Sequence, residues 1–246
     1  MHPTLIEFGF FRVYTYGFFV AVAMTVTFCM IAFLAPRFGF SKMALYDLVL
    51  VIFVTGVIGA RVAYVIQNAD LYRQNPTQAF WLGEGGLVWY GGAILAAFSA
   101  LLYGRAKKMP LLRTADFFAP LIALGHSIGR IGCFFNGCCY GLETKSSLGV
   151  HFNGNTVNRL PTQLFESLYL FILFWVLLYI LFKKYREGTV FLSYLFLYGV
   201  WRFIIEFVRD NQAKFGILTI AQWVSVVWVL GSLILLFLLP ARHAKR

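Results

Sequence analysis

The stretch Gly129-Arg130-Ile131-Gly132-Cys133-Phe134-Phe135-Asn136-Gly137-Cys138-Cys139-Tyr140-Gly141 closes an apolar run that begins near residue 115. It sets an arginine, an asparagine, three cysteines and four glycines at the end of a segment otherwise suited to hydrocarbon. Arginine at the centre of a membrane helix is unfavourable by roughly 2.5–3.5 kcal/mol on insertion scales. Such a residue is expected to face a protein interior and to hold an anion. In a membrane the expected anion is a lipid phosphate.

The rest of the chain supports a membrane reading. Its 246 residues are 60% hydrophobic and 13% charged, with mean hydropathy +0.75. A soluble domain of this size could not hide that much apolar surface, so several spanning helices are expected. The 27 Phe and 13 Tyr suit lipid contact and interfacial belts. The first twelve residues lack a basic region followed by a small-residue cleavage site, so the first span is expected to act as its own insertion signal. A net charge of +11 would suit nucleic acid, but the positive charges sit in short loops between apolar runs. No nucleic-acid partner is expected. No internal repeat or low-complexity tract is visible, and the inverted halves of many transporters are not evident.

Seven spans are predicted, at about 13–35, 45–67, 86–104, 115–135, 162–182, 189–208 and 218–239. The loops after the first, third, fifth and seventh hold Arg37, Lys42, Arg105, Lys107, Lys108, Arg113, Lys183, Lys184, Arg186, Arg242, Lys245 and Arg246. The opposite side holds Arg12, Arg73, Lys145, Arg159, Arg209 and Lys214. The positive-inside rule then gives an external N-terminus and a cytoplasmic C-terminus. The expected fold class is an all-α integral membrane protein. It is one domain over 1–246, with external segments at 68–85 and 136–161.

This orientation gathers Arg61, Arg130, Arg202, Glu166 and Glu206 in the outer half of the membrane. Arg202, Glu206 and Arg209 follow an i, i+4, i+7 spacing, which predicts one helical face. A network of ion pairs that only joins helices is the plain alternative. It would be a costly way to join helices that small residues could join. With Arg61, Arg130 and Arg202 against two glutamates, the excess positive charge calls for an anion. The arginine fork matches phosphate.

Gly125, Gly129 and Gly132 could pack their span closely against a neighbour. Gly137 and Gly141 lie beyond the span, where glycine allows positive φ or close approach to a ligand. Gly91-Gly92 after Trp89-Tyr90 reads the same way. Tyr16 and Tyr90 have an interfacial aromatic as their plain reading. His126 reads as a packed residue, His151 as solvated, and His2 and His243 as terminal. Cys29 is alone in a span. Cys133, Cys138 and Cys139 lack paired C-x-x-C spacing, so no structural zinc site is expected. A disulfide involving Cys133 and a thiol-redox role are competing accounts.

Several blocks in order carry a resemblance. They are Tyr16-Gly17; Gly59-Ala60-Arg61-Val62-Ala63-Tyr64; Gly86-Leu87-Val88-Trp89-Tyr90-Gly91-Gly92; Asp116-Phe117-Phe118-Ala119-Pro120-Leu121; Gly129 to Gly141; Pro161-Thr162-Gln163-Leu164-Phe165-Glu166; and Arg202-Phe203-Ile204-Ile205-Glu206-Phe207-Val208-Arg209. With them the chain resembles the prolipoprotein diacylglyceryl transferases. The resemblance implies seven helices in the bacterial inner membrane, with the active site toward the outer leaflet. It implies transfer of a diacylglyceryl group from phosphatidylglycerol to the lipobox cysteine of a preprolipoprotein, with release of glycerol phosphate. It places Tyr16, Arg130, Asn136, Gly141, Arg202 and Glu206 on functional motif positions. Arg61, Glu166 and Arg209 fall in recurrent blocks.

The sequence departs from that pattern at three positions. Tyr90 stands where many members have a histidine, Cys133 where asparagine is common, and Cys138 where glutamate is common. The expected catalytic set is Arg130, Arg202, Glu206, Tyr16 and Tyr90. The expected substrate-binding set is Arg130, Asn136, Gly141, Arg61, Glu166, Arg209, Cys133 and Cys138. No metal or organic cofactor is expected. Expected partners are phosphatidylglycerol, the preprolipoprotein lipobox and membrane lipids. A lipid or anion transporter using the same arginines is the competing reading, distinguished by the absence of a thioether product.

Overall fold

A computed structural model describes residues 4–8, 11–74, 76–80, 85–152, 156–183, 185–210 and 214–239. Gly83-Glu84, Asn153-Gly154-Asn155, His2 and His243 lie outside the described residues. The long helices are α1 (Thr15–Leu34), α2 (Lys42–Gln67), α4 (Trp89–Ala106), α5 (Leu111–Asn136), α6 (Thr162–Phe182), α7 (Thr189–Ile205) and α8 (Ile220–Leu238). They match the seven apolar runs to within a few residues. Six of these segments are long and apolar enough to cross a membrane. The 18-residue α4 is not among the six.

The described residues also include a short α3 (Ala69–Gln74) and three two-stranded antiparallel ribbons. These are β1 (Thr4–Phe8) with β2 (Phe11–Tyr14), β3 (Val150–His151) with β4 (Asn158–Arg159), and β5 (Lys214–Phe215) with β6 (Leu218–Thr219). None of the ribbons follows from the hydropathy pattern.

Local chemistry sets the helix ends. Gly39, at φ 66°, closes the 3-10 turn after α1, and the Ser41 hydroxyl accepts from Ala44 N at 3.4 Å to open α2. Thr219 and Gln222 form a capping box that opens α8. The start of α7 is supplied from elsewhere in the chain. Asp116, on α5, accepts from the backbone N–H groups of Gly188 (2.6 Å) and Phe191 (2.8 Å). A carboxylate there answers orphan donors and the positive end of the helix dipole.

The chain divides into two compact units, Met30–Leu111 and Met1–Cys29 with Leu112–Arg246. In the first, α2 and α4 meet along glycines. A Cβ on Gly59 would lie 2.5 Å from the Gly91 carbonyl oxygen, and one on Gly92 would lie 2.8 Å from that of Gly56. Gly91-Gly92 therefore serve helix packing, not approach to a ligand, because no side chain fits between these backbones. In the second unit, Phe117, Leu170 and Leu177 are fully buried. The Ser127 hydroxyl of α5 and the Ser167 hydroxyl of α6 each donate to the other's backbone carbonyl, at 2.8 and 2.9 Å. Outward faces are apolar: Leu168, Ile172 and Trp175 on α6, and Val227, Leu230, Ile234 and Phe237 on α8, are exposed. Contiguous apolar surface of this kind suits lipid.

Candidate active site

Within the second unit, α5, α6 and α7 bring charged side chains to one level. His126 and Arg130 stand four residues apart on α5. Tyr194, Tyr198, Arg202 and Glu206 repeat at the same interval on α7 and its 3-10 extension. Glu166 enters from the first turns of α6 and is buried. Its Oε1 accepts from Arg130 Nη2 and from the Tyr198 hydroxyl, each at 2.9 Å, and lies 3.8 Å from His126 Nε2. Glu206, also buried, pairs with Arg202 at 2.9 Å and accepts from the Thr219 hydroxyl at 2.9 Å. That hydroxyl also caps α8, so one threonine ties the carboxylate to the next helix.

Each carboxylate thus holds one arginine, and donors are left over. Arg130 Nε, Arg202 Nη1 and Arg209 Nε are buried with no hydrogen-bond partner among the described residues. An unsatisfied buried donor is costly, and more so when charged. The five charged groups Arg130, Arg202, Arg209, Glu166 and Glu206 sum to one net positive charge. Burial, and then the like charges of Arg202 and Arg130, push the Arg209 guanidinium below its usual range. An anion among these nitrogens would satisfy the donors and balance the charge.

Arg209 reaches this cluster by a different route from the one its spacing implies. The α-helix ends at Ile205, tightens to a 3-10 turn over Glu206–Val208, and Arg209 is extended (φ −85°, ψ 145°). The i+7 helical-face argument therefore does not apply to it. A β-bridge between Gly141 and Arg209 holds it instead. Gly141 is glycine because a Cβ would lie 2.5 Å from the Val208 carbonyl and 2.8 Å from Thr162 Cγ2. The close approach at Gly141 is thus made by the chain itself. Nearby, Arg159 ties Glu143 (3.1 Å) and Asp210 together, which joins β4 to the chain just beyond the 3-10 turn.

The cysteine turn borders the arginines. At the end of α5, Gly137 has φ +75°, its N–H bonds the Phe134 carbonyl at 3.1 Å, and Cys138 N–H bonds the Cys133 carbonyl at 3.2 Å. This is a Schellman cap, in which C3 and C″ meet. Those two positions are Cys133 and Cys138. Thr162 Oγ1 donates to the Cys139 carbonyl (2.9 Å), and Gln163 Nε2 to that of Cys138 (2.6 Å). The cysteines are free thiols. Tyr16 lies over Gly132, where an added Cβ would be 3.3 Å from its ring, and faces Cys133, Cys138 and Arg130. Asn136, exposed on the last turn of α5, reaches Cys138.

Gly132 packs against α1, a Cβ there lying 2.9 Å from Phe19 Cβ. Gly129 has nothing within 4 Å, and Gly125 only Thr27 Oγ1 at 3.9 Å. Of the three glycines read as packing positions, Gly132 alone makes a tight contact.

Two expected site residues belong to the other unit. Arg61 is engaged by backbone carbonyls: Ala79 at 2.8 Å, Gly85 at 2.8 Å, Gly86 at 3.1 Å and Gln78 at 2.8 Å. These bonds fasten residues 78–79 and 85–86 to α2. Tyr90 is exposed on the first turn of α4 and packs edge-on against Trp89. Sequence reading missed Tyr198 and Thr219 as partners of the glutamates. For Tyr198 the four-residue step back from Arg202 was a usable signal. For Thr219 the usable signal was its place before a capping Gln222.

The family model for prolipoprotein diacylglyceryl transferase matches residues 3–238. A Clostridium kluyveri protein named phosphatidylglycerol–prolipoprotein diacylglyceryl transferase is 35% identical over 256 aligned positions, covering 100% of this chain and 99% of its own. Relatives of the same name from Clostridium tetani (31% identical, 94% of each chain) and Bacillus cereus (34% identical, 93% of this chain and 88% of theirs) agree. By the extent of these matches, the chain belongs to the prolipoprotein diacylglyceryl transferase family.

Proposed function

We propose that this chain is the transferase its family and relatives are named for, and that its α5–α6–α7 arginine layer is the lipid headgroup site. The diacylglyceryl group of phosphatidylglycerol passes to the lipobox cysteine thiol of a preprolipoprotein. A carbon–sulfur bond forms at the glycerol carbon, the carbon–oxygen bond to phosphate breaks, and glycerol phosphate leaves. The thiol loses its proton in the exchange, because the thiolate is the nucleophile. A leaving phosphate is stabilised most by positive charge fixed in place beforehand.

Arg130 and Arg202 grip the phosphate, and Arg209 adds to the positive field. Glu166 and Glu206 hold Arg130 and Arg202 in position. Tyr16 and Asn136 hydrogen-bond headgroup or glycerol oxygens, beside Cys133 and Cys138. The protein lies in the bacterial inner membrane with seven spans, its N-terminus outside and the site open toward the outer leaflet. The observation that carries this reading is the set of buried guanidinium N–H groups with no partner among the described residues.

The test is a transfer assay with phosphatidylglycerol and a lipobox peptide in membranes carrying Arg130→Ala or Arg202→Ala. Each change should lower the rate of thioether formation by about 100-fold or more, with the protein still inserted. Near-normal transfer, or movement of lipid without a thioether adduct, would overturn the proposal.

A further inference from the structure

The roles above leave the sulfurs of Cys133, Cys138 and Cys139 unused. Their Sγ atoms lie within 4.8 Å of one another. The Schellman turn at Gly137 produces this grouping, since it folds Cys138 back over Cys133 and carries Cys139 with it. The C-x-x-C test fails here because it presumes two ligands on one loop. In this chain one sulfur comes from the helix and two from the turn that caps it.

The geometry points to a three-thiolate site for a thiophilic monovalent cation, Cu+, at the end of α5. Metal–sulfur bonds of about 2.3 Å in a trigonal plane set the sulfurs about 4 Å apart, so small side-chain rotations close the ring. The group contains three sulfurs and, among the described residues, no His, Asp or Glu. Soft thiolates alone select Cu+, whereas Zn2+ sites generally complete a tetrahedron with a fourth ligand.

On binding, each thiol releases its proton to solvent, and the Cu+ trithiolate carries two negative charges. Arg130 and Arg209 are positive groups that act on Cys139, and they offset part of that charge, Arg130 being already paired with Glu166. Cys139 is exposed and offers an entry path, while Cys133 and Cys138 are half-buried. Thr162 and Gln163 hold the carbonyls of Cys139 and Cys138, so the backbone of the site is fixed before any ion arrives. Binding requires no lipid, and its outcome is separate from that of the transfer assay.

The experiment uses the full chain in detergent, reduced and kept from air, with Cu+ titrated against a chromophoric Cu+ chelator. About one Cu+ per chain should be withheld from the chelator. Cys29→Ser, which alters a cysteine outside the cluster, should leave that stoichiometry unchanged. Cys139→Ser, at an exposed position, and Cys133→Ser should each abolish it, with helical content unchanged by circular dichroism. X-ray absorption of the copper-loaded protein should show sulfur neighbours at about 2.3 Å. Failure to withhold Cu+, equal retention by Cys139→Ser, or binding of Zn2+ but not Cu+ would each overturn the assignment.

Discussion

Where α2 crosses α4, side chains are removed to bring the helices together. Where α5, α6 and α7 meet, charged side chains are inserted. The glycine seam lets Gly59 and Gly91 approach so closely that an added Cβ would strike backbone at 2.5 Å. Beside it, Arg61 donates to the backbone carbonyls of Ala79, Gly85, Gly86 and Gln78. The arginine layer is different. Arg130 and Arg202 each have a carboxylate partner, yet each keeps a buried nitrogen without one. What separates Arg61 from Arg130 is whether the protein itself satisfies the guanidinium.

The strongest way to break this comparison is Glu166→Gln. It removes the charge that holds Arg130 and accepts from Tyr198, leaving a buried cation uncompensated. We expect a loss of about 3–5 kcal/mol in stability, read as a lower thermal midpoint in detergent, together with lost transfer. An unchanged midpoint would mean that the charge layer contributes nothing to folding. Next in size, Gly59→Ala should cost about 1–3 kcal/mol by overpacking the seam, with unfolding in detergent as the readout. If the variant is as stable as the parent, the seam is looser than its geometry implies. The smallest effect is expected at Gly129, where no atom lies within 4 Å of an added Cβ. There Gly129→Ala should raise stability by about 0.5–1 kcal/mol through helix propensity alone. A clear destabilisation would show that Gly129 is a packing position like Gly59.

The membrane segments were legible from sequence because their signal is local. A run of apolar residues needs no distant partner to be read, and the start of α6 at Thr162 follows directly from Pro161. The arginines, both glutamates and the cysteines were legible as candidates because polar groups in such runs are conspicuous. Their division of labour was not legible. Arg130 meets Glu166 across 36 residues of chain, and Asp116 caps α7 across 72. Arg209 kept its place in the cluster although its helix ended early, since a bridge to Gly141 took over from helical periodicity. The cysteines failed the zinc pattern because a helix cap, and not a loop motif, assembles them.

By itself, then, the sequence determined which segments are apolar helices, where most of them begin and end, and which side chains are too polar to be there without reason. Those are properties of composition and period along the chain. Only the tertiary structure decided which donors stay unpaired, which glycines are seams, and that a helix cap gathers three thiols. Satisfaction and contact are relations between groups distant in sequence, and they exist only once the helices have met.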